Sequence, residues 1–165
     1  MKYRVVFILT ALIGCLLDLI SKTIIFGNLY HPLTGEFNQV DIIPGVLGLK
    51  CTYNTGIIWG FFQGGNIFFL IFSGLAILLI IILFFLSGKP DWLISSALGL
   101  VLAGTLGNLY DRFTHQAVRD FIDFYLINWP IFNLADTWIT IGVILIIISL
   151  FISPKGEIVK EAKVN

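Results

Sequence analysis

Charge is what this chain has least of. Only 12% of its 165 residues are Asp, Glu, Lys or Arg, about half the roughly 25% usual in a soluble domain. That shortage excludes an ordinary water-soluble globule. The 58% of hydrophobic residues excludes intrinsic disorder, which requires low hydrophobicity and high charge. Ten basic and ten acidic residues cancel to a formal net charge of zero, so nothing draws nucleic acid from a distance and no nucleic-acid partner is expected. Histidine is nearly absent. His31 and His115 lie in loop-like sequence and are expected at the surface, and no His or Cys at helical spacing offers a zinc-type site. The two cysteines, Cys15 and Cys51, cannot build a disulfide framework. What remains is the composition of an integral membrane protein.

Crossing a bilayer core takes about 20 mostly apolar residues in a helix. Four stretches qualify, at about 5–26, 66–86, 92–109 and 134–152. The expected fold is an all-α membrane protein, a single domain over 1–165. It has four transmembrane helices and a small extracytoplasmic β-sheet or loop region. Gly88, Pro90 and Asp91 break the second span from the third, and Pro154 marks the end of the fourth. Lys2 and Arg4, Lys89, and Lys155, Lys160 and Lys163 flank the spans on one side. By the positive-inside rule that side is cytoplasmic and both termini face in, although Lys22, Lys50, Arg112 and Arg119 narrow the margin. The outward segments are then about 27–65 and 110–133.

Ser95, Gly99, Ala103 and Gly107 recur every four residues in the third span, a small-residue strip for close helix approach, and Gly104 broadens it. In the first outward segment Leu47, Leu49, Cys51 and Tyr53 alternate with Gly48, Lys50, Thr52 and Asn54. That period of two predicts a half-buried strand after a Pro44-Gly45 turn. At the amino terminus, Leu12-Ile13-Gly14-Cys15 has the form of a bacterial lipidation box. The apolar run continues through Leu16 and Leu17 and three spans follow, so a lipid anchor would add nothing, and a span is the better reading.

Ionisable and amide groups near lipid are expensive and mark functional candidates. Asp18, Lys22, Asn54, Asn108, Asp111, Arg112, Asp120, Asp123, Asn133 and Asp136 all fall near the outer ends of the spans. Asp18 and Lys22 stand four apart with the acid first, the favourable order for a helical ion pair. Asn108 and Asp111, like Asn133 and Asp136, are three apart and share a face wherever one helix holds both. Two carboxylates at one site cannot both ionise cheaply, so one keeps a proton while the other takes one from water. Such a pair hydrolyses peptide bonds without metal or covalent intermediate. Asp111, Asp120, Asp123 and Asp136 are the candidates, and spacing alone does not choose between them. Arg112 beside Asp111 suggests a salt-bridged structural carboxylate there. A small proton- or ion-coupled transporter is the alternative, but the polar residues form no chain across the membrane.

Five motifs occur in order: Asp18-Leu19-Ile20-Ser21-Lys22, Asn54-Thr55-Gly56, Gly107-Asn108-Leu109-Tyr110-Asp111-Arg112, Val118-Arg119-Asp120-Phe121-Ile122-Asp123 and Phe132-Asn133-Leu134-Ala135-Asp136. Together they resemble lipoprotein signal peptidase (signal peptidase II), the aspartic protease family of the bacterial inner membrane. The resemblance implies removal of signal peptides from prolipoproteins, before a cysteine carrying diacylglyceryl, at the outer face of the membrane. It implies Asp120 and Asp136 as catalytic residues, and Asn54, Asn108, Arg112 and Asn133 as substrate-binding ones. Asp18, Lys22, Gly56 and Asp111 take supporting roles. It also implies a catalytic water but no cofactor or metal, membrane lipid as surroundings, globomycin-type inhibitors and a monomer. The chain departs from the family pattern at Ile57 and Ile58, where alanines are usual, at Arg119 in place of valine, and at Gln116 in place of a common glycine.

Overall fold

A computed structural model describes residues 2–31, 34, 36–56, 66–87 and 91–152. Its four helices α1 (Lys2–Leu29), α2 (Asn66–Leu86), α3 (Trp92–His115) and α4 (Leu134–Ile152) are each long and apolar enough to cross a membrane. The second and fourth spans match their expected limits. The other two overrun them, because apolar length sets only a minimum and backbone hydrogen bonding continues wherever the next residues find partners. In α1 the added end buries Leu29, and the Asn28 amide donates back to the Ile24 carbonyl at 2.8 Å. In α3 the helix runs past residue 109 to His115, and Gln116 stops it in the left-handed region. Gly88, Lys89, Pro90, Pro154, the tail lysines, Ile57 and Ile58 lie outside the described residues.

One buried stripe runs the length of α1: Phe7, Ala11, Gly14, Asp18, Lys22, Phe26 and Leu29. Steps of three and four residues keep it on one helical face, turned towards α3. Close approach comes from small residues. A side chain on Gly99 would meet the Phe7 carbonyl at 2.9 Å, one on Gly107 would run into the Asp18 carboxylate, and Gly14 faces the Ala103 methyl. Gly104 does not widen this seam. It faces Ala135 and Ile139 of α4 instead, so the strip splits between two partners and α3 lies at the centre of the bundle. Phe7 stacks on Phe84 of α2 with centroids 4.2 Å apart, inside a core that includes Ala11, Ile80, Leu98 and Leu102. Leu12, Leu16 and Ile20 on α1 and Ile71, Leu75 and Leu78 on α2 stay exposed, as lipid-facing residues should.

The segments joining α1 to α2 and α3 to α4 carry more strand than the sequence pattern announces. A two-stranded pair, β1 (Tyr30–His31) and β2 (Glu36–Phe37), precedes a three-stranded antiparallel sheet of β3 (Gln39–Ile43), β4 (Leu47–Asn54) and β5 (Val118–Asp123). The alternating segment is β4, and Gly45, at φ +80°, turns the β3–β4 hairpin. His31 is half-buried rather than free at the surface, whereas His115 is exposed. Between Leu49 and Thr52, β4 spends three steps against two on β5, from Ile122 to Asp120. This bulge breaks the strict alternation just before Asn54. After a short 3₁₀ turn the chain returns along β5 through an Ile122–Phe132 bridge, with the Phe121 and Ile122 amides donating to the Phe132 carbonyl. That return sets Asn133 beside Asp120.

Candidate active site

Asn133 is the N-cap of α4. Its Oδ1 accepts from the Asp136 backbone N–H at 3.0 Å, and Asp136 Oδ2 accepts from the Asn133 N–H at 3.3 Å. This is a reciprocal capping box, readable as Asn-x-x-Asp ahead of an apolar run. The other end of the same amide reaches Asp120, with Nδ2 donating to Oδ1 at 2.6 Å. One buried asparagine thus grips both carboxylates. Asn133 is fully buried and lies outside the cavity lining, so the geometry makes it a bridge between the aspartates and not a wall residue. Asn54 and Val118 are register partners, which puts Asn54 diagonal to Asp120. Its Nδ2 donates to Asp120 Oδ2 at 3.0 Å, while its Oδ1 accepts from the Gly56 N–H. Asn108 donates to Asp136 Oδ1 at 2.9 Å.

Asp120 and Asp136 open together on a cavity of about 760 Å³, bordered by Asn54, Gly56, Asn108 and Arg112. From there it extends past Phe69, Phe72, Ala76, Val101 and Ile139, an apolar trough between α2, α3 and α4. Burial and then the neighbouring Asp136 charge push Asp120 up to about 7, against pulls from the Asn54 and Asn133 amides and Lys22. A carboxyl group protonated near neutrality beside a second carboxylate can serve as general acid and base. Asp123 sits opposite Gly48 at the far end of β5, away from the cavity. Among the described residues, no three His, Cys, Asp or Glu side chains converge as metal ligands.

Behind the dyad lies a second set of charges. Lys22 Nζ donates to Asp18 Oδ2 at 2.7 Å and to Asn108 Oδ1 at 3.0 Å, and stands 3.3 Å from Asp111 Oδ2. Arg119 closes the set, with Nε and Nη2 on Asp111 Oδ1 at 3.1 and 2.8 Å and its backbone N–H on Oδ2 at 2.9 Å. The helical Asp18–Lys22 pair is therefore present. Asp111 is indeed a salt-bridged carboxylate, but its partners are Lys22 and Arg119 rather than the adjacent Arg112. Successive residues on a helix point about 100° apart, so Asp111 turns inward while Arg112 reaches the cavity. Two acids and two bases cancel, which is what makes their burial tolerable. The cluster also holds the residue before each dyad member. Asp18 accepts from the Ala135 N–H at 2.9 Å, and the Arg119 carbonyl accepts from Asn133 at 3.4 Å. Arg119, notable in sequence only as a departure, is thus part of the support.

The geometry has counterparts among known proteins. The family model described as "Signal peptidase (SPase) II" matches residues 10–152. The chain belongs to the signal peptidase II family. A lipoprotein signal peptidase from Gloeothece citriformis is 37% identical over 95% of each chain. One from Shouchella clausii is 38% identical over 90% of this chain and 95% of its own, and one from Yersinia pseudotuberculosis is 36% identical over 87% and 85%. A bacterial membrane enzyme solved in meso at 2.3 Å resolution superposes with a TM-score of 0.80 at 34% identity, covering 92% of both chains. Another, at 1.9 Å resolution, gives 0.76 at 33% identity over 89% and 93%. Four spans with a peptidase family match make the chain a multi-pass membrane protease, and the transporter reading is set aside.

Proposed function

We propose that this signal peptidase II family member is an aspartic endopeptidase. It removes signal peptides from prolipoproteins by cutting before a diacylglyceryl-modified cysteine, at the outer face of the bacterial inner membrane with both termini cytoplasmic. The observation that carries this reading is the dyad: two carboxylates held by one buried asparagine, Asp120 by its side-chain amide and Asp136 by its backbone N–H, at the head of an apolar trough. Asp120 and Asp136 share one proton and a water. The ionised member draws a proton from the water as it attacks the scissile carbonyl, and the protonated member passes its proton to the departing amine. Acid–base help of this kind is worth about 10²–10⁴ in rate, and holding water and bond in place adds more. Asn54, Asn108 and Arg112 offer polar contacts to the peptide and the developing oxyanion. The trough accepts the acyl chains, so substrate arrives by diffusion within the bilayer.

The test uses purified protein in lipid or detergent with a diacylglyceryl-modified prolipoprotein and its unmodified counterpart. Cleavage of the first alone, before the cysteine and blocked by globomycin, is the expected result. Asp120→Asn and Asp136→Asn should each abolish turnover with folding intact. Normal turnover in either variant refutes the dyad.

A further inference from the structure

Apart from Asn66 and Ser73, α2 is apolar throughout, yet its first turn reaches the cavity's cation. Asn66 and Phe69 stand three apart on one face of α2, and they meet Arg112 in the last turn of α3 and Gln116, the residue that caps it. The Phe69 ring, 7% exposed, lies under the Arg112 guanidinium at 4.8 Å from its centroid. Asn66 Nδ2 donates to the Arg112 carbonyl at 3.2 Å and to Gln116 Oε1 at 2.7 Å. Gln116 has φ +58°, where glycine is the easier residue. Its side chain is engaged by Asn66 and by the Phe113 carbonyl at 3.4 Å.

Arg112 lines the same cavity as Asp120 and Asp136. Opposite charges sharing a cavity attract, yet among the described residues the Arg112 guanidinium forms no salt bridge or hydrogen bond. We infer that Phe69 and Asn66 are positioning residues that hold the Arg112 guanidinium off the catalytic carboxylates, leaving its donors free for the substrate. This rests on the reading of Arg112 as a substrate-binding group. A guanidinium paired with the dyad would be lost to the peptide and would also favour the doubly ionised dyad. Asp120 is otherwise faced by Asp136 from α4, Lys22 from α1, Asn54 from β4 and Asn133 at the α4 cap.

The experiment is steady-state cleavage of a diacylglyceryl-modified prolipopeptide as a function of pH. Phe69→Leu keeps an apolar side chain without a π face, and should raise KM roughly three- to tenfold and move the alkaline limb of kcat/KM to lower pH. Phe69→Trp should recover most of both effects. In an Arg112→Gln background, Phe69→Leu should leave the limb where it is and raise KM by less than in the wild-type background, since only its contact with the acyl chains then remains. Equal effects of Phe69→Leu with and without Arg112, or an unmoved KM and limb in the single variant, overturn the inference. Wild-type kcat/KM in Arg112→Gln overturns instead the underlying role of Arg112. If Phe69→Leu does not fold, Asn66→Ala carries the same test, with a smaller KM rise that vanishes in Arg112→Gln; a rise that persists there counts against the inference.

Discussion

Asn54→Ala should move the alkaline limb of the pH profile upward by about one unit. Asn54 Nδ2 donates to Asp120 Oδ2 at 3.0 Å, and that bond favours the ionised form. It opposes burial and the Asp136 charge, which together bring Asp120 to about 7. A hydrogen bond to a charged group is worth about 1.5–3 kcal/mol, and one pKa unit is about 1.4 kcal/mol. The protonated carboxyl keeps part of the bond in wild type, and water replaces part of it in the variant, so the net shift is about one unit. The limb of kcat/KM reports the free enzyme's dyad as a coupled pair. It should move from about 7 to about 8. The assay is cleavage of the diacylglyceryl-modified substrate between about pH 5 and pH 10, with folding checked at each end. Loss of a contact to substrate would lower the whole profile without sliding it. An unmoved limb, or one displaced to lower pH, refutes the role of Asn54 in setting the proton affinity of Asp120.

Four further outcomes can be checked by melting and turnover. Asp111→Asn leaves Lys22 and Arg119 short of their shared carboxylate, so a loss of about 3–5 kcal/mol of stability is expected, with partial activity in the folded fraction; a melting temperature matching wild type would contradict the ion cluster. Gly104→Ala drives a methyl into the Ala135 backbone and Ile139, which should cost about 1–3 kcal/mol. Gly27→Ala has nothing within 4 Å and should be neutral or stabilising by up to about 1 kcal/mol. Asp120 holds its proton to about 7 in the folded state against an ordinary value of about 3.9 when unfolded. Its contribution to stability is therefore full below about pH 4 and lost as pH rises through about 7. Asp120→Asn should flatten that slope in a melting series.

The helices are legible in the sequence because each is an apolar run long enough to cross a bilayer. The stripe from Phe7 to Leu29 passes through Asp18 and Lys22 without a break, and β4 announces itself by alternation. β5 does not, because Val118, Arg119, Asp120 and Phe121 are all buried. With both faces covered no two-residue rhythm survives, and two of those side chains are charged. Near-neighbour spacing found the Asp18–Lys22 pair, and it paired Asn133 with Asp136 as a shared helical face, whereas α4 begins at Leu134 and the two form its cap. It could not join Asp120 to Asp136, whose meeting depends on the turn after β5 and the Phe132 bridge; only the family resemblance singled them out. Arg112 was assigned to Asp111 because adjacency in sequence stood in for direction on the helix. The grip of Phe69 on Arg112 left no mark, since a phenylalanine in a span reads as lipid contact.

The capping box at the head of α4 bears on how any scan of this site should be interpreted. Asp136 both faces the cavity and secures the first turn of its own helix. An alanine there removes two things at once, and its phenotype would blur chemistry with fraying. Asparagine retains an oxygen for the Asn133 N–H while ending the proton exchange. Asp136→Asn is therefore the variant suited to trapping an uncleaved prolipoprotein for structure determination, with the helix start still in register.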